Sequence, residues 1–133
     1  MKASVYHLQL NVRDAAASIP FYRALLGYFE YRAIMETPDL LGMTNGTTDF
    51  WIIGVPAERS TRAPHRKEPG LNHVAFRVAA RADVDRVHAE LLAPRGIAVL
   101  YGGPKEYPEY RPGYYAVFFE DPDRLKLEVV HIP

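Results

Sequence analysis

The chain has 133 residues, 48% of them hydrophobic and 24% charged, and sixteen basic side chains balance sixteen acidic ones to a formal net charge of zero. That length and balance fit one ordinary domain able to bury a core, and they give no electrostatic ground for nucleic acid or an anionic membrane as partner. With no cysteine, disulfides, a thiolate nucleophile and zinc–thiolate clusters are excluded, so any metal must be held by nitrogen and oxygen. The opening MKASVYHLQL lacks a long apolar core with a cleavage site, and no apolar run reaches membrane-spanning length, which predicts a cytoplasmic protein.

Residues 4–12 alternate, with Tyr6, Leu8, Leu10 and Val12 on one side and Val5, His7, Gln9 and Asn11 on the other, the pattern of a half-buried strand. A helix is expected next, running to about Leu26 and stopping at Gly27. Ser18 is its expected cap, which puts Pro20 in the first turn; a start at Ala15 would instead leave Pro20 inside the helix. Strands follow near Phe29–Met35, Leu40–Thr44 and Asp49–Val55, broken by Thr37-Pro38-Asp39 and by the hairpin signal Asn45-Gly46. Residues 1–56 therefore read as a β-α-β-β-β module. The stretch 57–70, rich in charge and proline, reads as an exposed linker.

Residues 71–133 repeat the pattern. A strand at Leu71–Val78 leads to a helix with Val84, Val87, His88, Leu91 and Leu92 at core spacing, ended by Pro94 and Gly96. Strands are expected near Ile97–Tyr101, Tyr114–Phe119 and Leu125–His131, with a tyrosine- and proline-rich loop at Gly102–Gly113. The offset that carries His7 to His73 also carries Leu8 to Val74, Leu10 to Phe76, Val12 to Val78, Leu25 to Leu91 and Leu26 to Leu92. Neither half is long enough to bury a comfortable core alone, so two modules of one duplicated domain is the natural reading.

Strand parity then sorts the polar residues. His73 lies opposite the apolar set Val74, Phe76 and Val78, and Glu128 lies opposite Leu125, Leu127 and Val129. His7, His73 and Glu128 thus share the less apolar faces of their strands. Two imidazoles and one carboxylate are the ligands of the facial arrangement that holds a divalent metal and leaves positions open. A lone strand histidine is more often structural; two at equivalent positions of a repeat, with a carboxylate on a third strand, lift the joint case. His65, His88 and His131 gain nothing from this symmetry and are assigned structural or surface roles.

The segments "HLQLNVRDAAASIPFYRALLG", "GLNHVAFRV" and "YYAVFFEDPDRLKLEVV" resemble the vicinal oxygen chelate superfamily of glyoxalase I, fosfomycin-resistance proteins, extradiol dioxygenases and bleomycin-resistance proteins. The resemblance covers nearly the whole chain. It implies an α+β fold in which two paired β-α-β-β-β modules form an open, U-shaped mixed sheet around a cleft, commonly within a homodimer. It also places one divalent metal ion, Fe, Mn, Zn or Ni, on His7, His73 and Glu128, where it would chelate neighbouring oxygens of a small organic substrate.

Several positions depart from the family pattern. Trp51 stands where internal symmetry puts the partner of Glu128 and where glyoxalase I has a carboxylate, which points to lyase or dioxygenase chemistry other than that of classical glyoxalase I. Phe118 takes the place of the extradiol tyrosine, and Arg124 replaces the glycine of the Asp-Pro-Asp-Gly turn. Trp51, Tyr114 and Arg77 are the expected substrate contacts, with Tyr115 turned toward the helix. The alternatives are a metal-free protein that binds and sequesters a small, antibiotic-type molecule, and a structural metal in a domain whose dimer surface matters.

Overall fold

The alternating residues at the N-terminus form β1 (His7–Val12), and the same pattern after the linker forms β5 (His73–Val78). The computed structural model describes residues 1–61 and 65–133, so positions 62–64 of the expected linker lie outside the described residues. The chain divides into two compact units, Met1–Ala63 and Pro64–Pro133. No described helix is long and apolar enough to cross a membrane.

In the first unit β1 is followed by α1 (Ala15–Tyr28), β2 (Arg32–Thr37), β3 (Leu40–Thr44) and β4 (Asp49–Gly54). The sheet order is β1-β4-β3-β2, with β1 parallel to β4 and the other pairs antiparallel. Leu10, Leu41, Met43, Phe50 and Ile52 are buried together with Ile19, Tyr22, Leu25 and Leu26 of α1. The opposite face carries His7 beside Asp49, and Gln9 beside Trp51.

Two expectations for α1 are corrected. Its cap is Asp14, whose carboxylate accepts from the Ala16 N–H at 2.9 Å, while Ser18 is fully buried inside the helix. Pro20 therefore sits in the helix interior, where it removes the hydrogen bond to the Ala16 carbonyl. Pro20 and Ala16 are both on the exposed side of the helix. Gly27 is not the stop. The Glu30 N–H donates to the Gly27 carbonyl and the Tyr31 N–H to Leu26, with Glu30 in the left-handed conformation at φ 63, the two bonds of a Schellman ending.

The second unit repeats the order with β5, α2 (Arg81–Arg86), β6 (Val99–Glu106), β7 (Tyr115–Glu120) and β8 (Lys126–His131). Its sheet runs β5-β8-β7-β6, again with the first pair parallel. The helix widens into a π-helical turn at Val87–Leu92 and tightens over Ala93–Arg95 before Gly96, as expected, ends it in a left-handed conformation. Val84, Val87, Leu91 and Leu92 are buried with Val117, Phe119, Leu127 and Val129.

The region expected to be a loop from Gly102 is partly strand. β6 continues to Glu106 through a bulge, because Tyr101, Gly102 and Gly103 all take positive φ and shift the register between Leu100, opposite Phe118, and Lys105, opposite Ala116.

Arg124 likewise has φ 68, a left-handed conformation that glycine takes more readily than arginine. Asp121 holds that turn, accepting from the Asp123 and Leu125 N–H groups at 2.8 Å each.

Candidate functional site

The face of the second sheet turned away from α2 carries the chemistry. Glu128, in the middle of β8, lies between Ala75 on β5 and Phe118 on β7, and it is 1% exposed. A buried carboxylate needs partners for both oxygens. Oε1 accepts a hydrogen bond from the Tyr114 hydroxyl, and Oε2 lies 3.2 Å from His73 Nε2. The other ring nitrogen, His73 Nδ1, lies 2.8 Å from Asn72 Oδ1, and the Asn72 amide donates to the Arg66 carbonyl at 2.9 Å. Arg66 in turn pairs with Glu120 at 2.5 Å.

Around this chain lies an apolar cluster of Tyr107, Ala116, Phe118 and Val130, with Leu100, Tyr114 and Ile132 packed against it. Phe118 meets His73 edge-on at 6.5 Å between centroids and Tyr107 at 5.2 Å. Lys126 places its ammonium 5.5 Å over the Phe118 ring. Burial raises the Tyr114 phenol well above the ordinary tyrosine range, and the bond to Glu128 and its charge raise it further. Burial likewise raises Tyr107. Both rings therefore stay protonated at neutral pH, and Tyr114 remains the donor to Glu128.

Strand parity thus brought His73, Glu128 and Tyr114 to one face, and Tyr115 to the other, where its hydroxyl donates to Asp85 at 2.7 Å. Arg77, also on the His73 face, is exposed and donates to the Ile132 carbonyl at 2.9 Å. His7 belongs to the first unit, exposed on β1 beside the ring of Tyr6. Trp51 is half-buried on the same face as His7 and lies flat over Gly42: a Cβ on that glycine would stand 2.5 Å from the indole.

Among the described residues no group of three or more histidine, aspartate or glutamate side chains is drawn together as a metal shell; the second unit supplies a pair of donors. Their chemistry fits a divalent ion. Two ligands each about 2.1 Å from a metal, and at right angles to one another, stand about 3.0 Å apart, close to the His73–Glu128 spacing. Sequence reasoning missed Asn72, whose only local signal is an amide immediately before the strand histidine. Tyr114, expected as a substrate contact, places its hydroxyl on Glu128.

Two β-α-β-β-β units, with equivalent histidines opening the first strand of each, define the glyoxalase-like α+β class of paired modules. The chain belongs to the Glyoxalase/Bleomycin resistance protein/Dioxygenase superfamily, whose family profile matches residues 4–129. It is 35% identical over 131 residues to the Bacillus subtilis (strain 168) protein YqjT, described as uncharacterised, covering 95% of this chain and 97% of that one. A solved Bacillus halodurans structure, provisionally described as a glyoxalase, is 31% identical and superposes with a TM-score of 0.81, covering 98% of this chain and 97% of that one. A glyoxylase/bleomycin resistance protein/dioxygenase domain from Frankia sp. EAN1pec shares the fold at 22% identity and a TM-score of 0.78, over 100% of both chains.

Proposed function

We propose that the protein is a divalent-metal-dependent enzyme that chelates neighbouring oxygens of a small organic substrate, with His7, His73 and Glu128 holding the ion. The observation that carries this reading is the buried Glu128 carboxylate, 1% exposed, facing His73 Nε2 at 3.2 Å on the face away from the helix. Fe, Mn, Zn or Ni suits one carboxylate and two imidazoles, and such an ion supplies a Lewis acid for two adjacent oxygen atoms. Tyr114 fixes the carboxylate from one side, so the residue that would hold the ion cannot swing away. Trp51, in place of a second carboxylate, has no proton to exchange in chemistry at neutral pH, which favours lyase or dioxygenase reactions over that of classical glyoxalase I. Trp51 and Arg77 offer a flat apolar contact and a cation to the substrate.

The same reading makes the protein a cytoplasmic homodimer that works on a small molecule and not on nucleic acid or a membrane. β1 and β5 each stand at an end of their own sheet, and an end strand is where a second copy can add, which supports assembly.

Elemental analysis of protein purified without chelator and then given each metal tests this. Stoichiometric metal is expected, lost in His73→Ala and His7→Ala; wild-type protein that stays metal-free under replete conditions sinks it. A catechol or hydroxamate added to the loaded protein should change its ligand-field or charge-transfer spectrum if ligand positions are open, and leave it unchanged if the metal is only structural.

The same 3.2 Å separation of His73 Nε2 and Glu128 Oε2 also suits a second reading, a metal-free small-molecule binding protein, since one proton between the two atoms would satisfy the contact. Tight binding of a drug-like ligand with no metal bound would establish it.

A further inference from the structure

Asn72, which stands outside the expected ligand set, decides which face of His73 is chemically available. Its side chain has two ends, and the Arg66 carbonyl fixes which is which: a carbonyl only accepts, so the end 2.9 Å from it is the Nδ2 amino group. The end 2.8 Å from His73 is then the amide oxygen, which also only accepts. His73 Nδ1 must therefore carry a proton. In the neutral ring this leaves the lone pair on Nε2, pointed at the side of the site where Glu128 Oε2 lies.

Two lone pairs facing one another at 3.2 Å repel unless a cation or a proton lies between them. Arg66, whose carbonyl sets this polarity, arrives from the linker and is held by Glu120 at the end of β7. The polarity of the imidazole is thus set by a contact outside its own strand.

We propose that Asn72 is the positioning residue of His73: it holds the proton on Nδ1 and so presents Nε2, as a bare donor, beside Glu128. The purpose of this arrangement rests on the metal reading above, since a metal-ligating histidine characteristically donates its other ring N–H to a fixed acceptor.

Nitrogen-15 NMR of the imidazoles tests it in the full chain stripped of metal, at pH about 9, above the range in which histidines ordinarily titrate. The expected result is a protonated Nδ1 on His73 in the wild type, lost in Asn72→Leu and kept in Asn72→Asp, which preserves an acceptor. A wild-type ring with a bare Nδ1, or a leucine variant whose Nδ1 is unchanged, overturns the proposal. The wild-type measurement decides even if a variant fails to fold.

Zn(II) titration then separates the two ideas. Affinity is expected to fall roughly 10- to 100-fold in Asn72→Leu and to stay near wild type in Asn72→Asp. Equal zinc affinity in wild type and the leucine variant overturns the positioning role and leaves the metal reading standing. A wild type that binds no zinc yet shows the protonated Nδ1 sinks the metal reading while supporting the role of Asn72.

Discussion

Trp51 and Glu128 occupy the same rung of two copies of one sheet: Trp51 is paired with Gln9 across β1 and β4, and Glu128 with Ala75 across β5 and β8. The duplication kept the backbone and changed the chemistry. In the first unit the rung is filled by an indole lying over a glycine, and in the second by a buried carboxylate held by a phenol.

Gly42→Ala tests the packing of the first rung. The new Cβ would stand 2.5 Å from the indole, so Trp51 must move. A loss of about 1–3 kcal/mol is expected for this overpacking. Trp51 is the only tryptophan, so its emission reports the displacement directly. An unchanged spectrum and denaturation midpoint would show that the indole does not lie on Gly42.

Tyr114→Phe tests the second rung. It removes the hydroxyl from Oε1 and leaves part of a buried carboxylate unpaired, at a cost of about 1–3 kcal/mol. Adding Glu128→Leu removes the stranded acceptor, so the double variant should be more stable than the sum of the single losses predicts, with a coupling of about 1 kcal/mol in urea denaturation. Strict additivity would mean that the two side chains do not bond.

Arg124→Gly should stabilise the protein by about 1 kcal/mol. A left-handed conformation costs an ordinary residue about 1–2 kcal/mol, against which glycine loses part of the gain in the unfolded chain. The ion pair given up, Arg124 to Glu120 at 3.4 Å, is exposed on the arginine side and worth little. A lowered melting temperature would show that the arginine side chain contributes more than its backbone strains.

Tyr115 gives a stability difference at alkaline pH. Its hydrogen bond to Asp85 raises its pKa most, burial and the Asp85 charge add to this, and Arg81 opposes them. Folding therefore favours the protonated phenol, whose contribution is complete below the unfolded pKa and is lost as the pH rises through the higher folded one. The wild type should exceed Tyr115→Phe by less than about 1 kcal/mol near neutrality. That advantage should shrink once the pH passes about 10. A constant difference in denaturation midpoint from neutral to strongly alkaline pH would rule the effect out.

Much of the fold was legible because it follows from periodicity. Alternation identified the faces of β1, β5 and β8, and helical spacing picked out Val84, Val87, Leu91 and Leu92, all buried. What it missed depended on context. Asp14 and Ser18 are both good cap residues, and the choice between them turns on tertiary burial: Ser18 is fully buried, while Asp14 is exposed and caps the Ala16 N–H. Gly102 and Gly103 look like loop residues, yet between Leu100, opposite Phe118, and Lys105, opposite Ala116, their positive φ makes a bulge within a strand. In the site, parity aligned His73 with Glu128 because both sit on strands of known face. Asn72 precedes its strand, and its partner Arg66 comes from a segment without regular pattern, so nothing periodic marks it.

The long connection between β6 and β7 is closed at its base, where the Tyr107 N–H donates to the Tyr114 carbonyl at 2.9 Å. Inside it Tyr110 stacks on Tyr107 at 5.6 Å and meets Tyr114 edge-on at 5.3 Å, while Gly113 takes φ 78 against Pro133, so the loop itself steadies the phenol that holds Glu128. A change at Tyr110 or Gly113 would therefore be felt at the buried carboxylate, two contacts away.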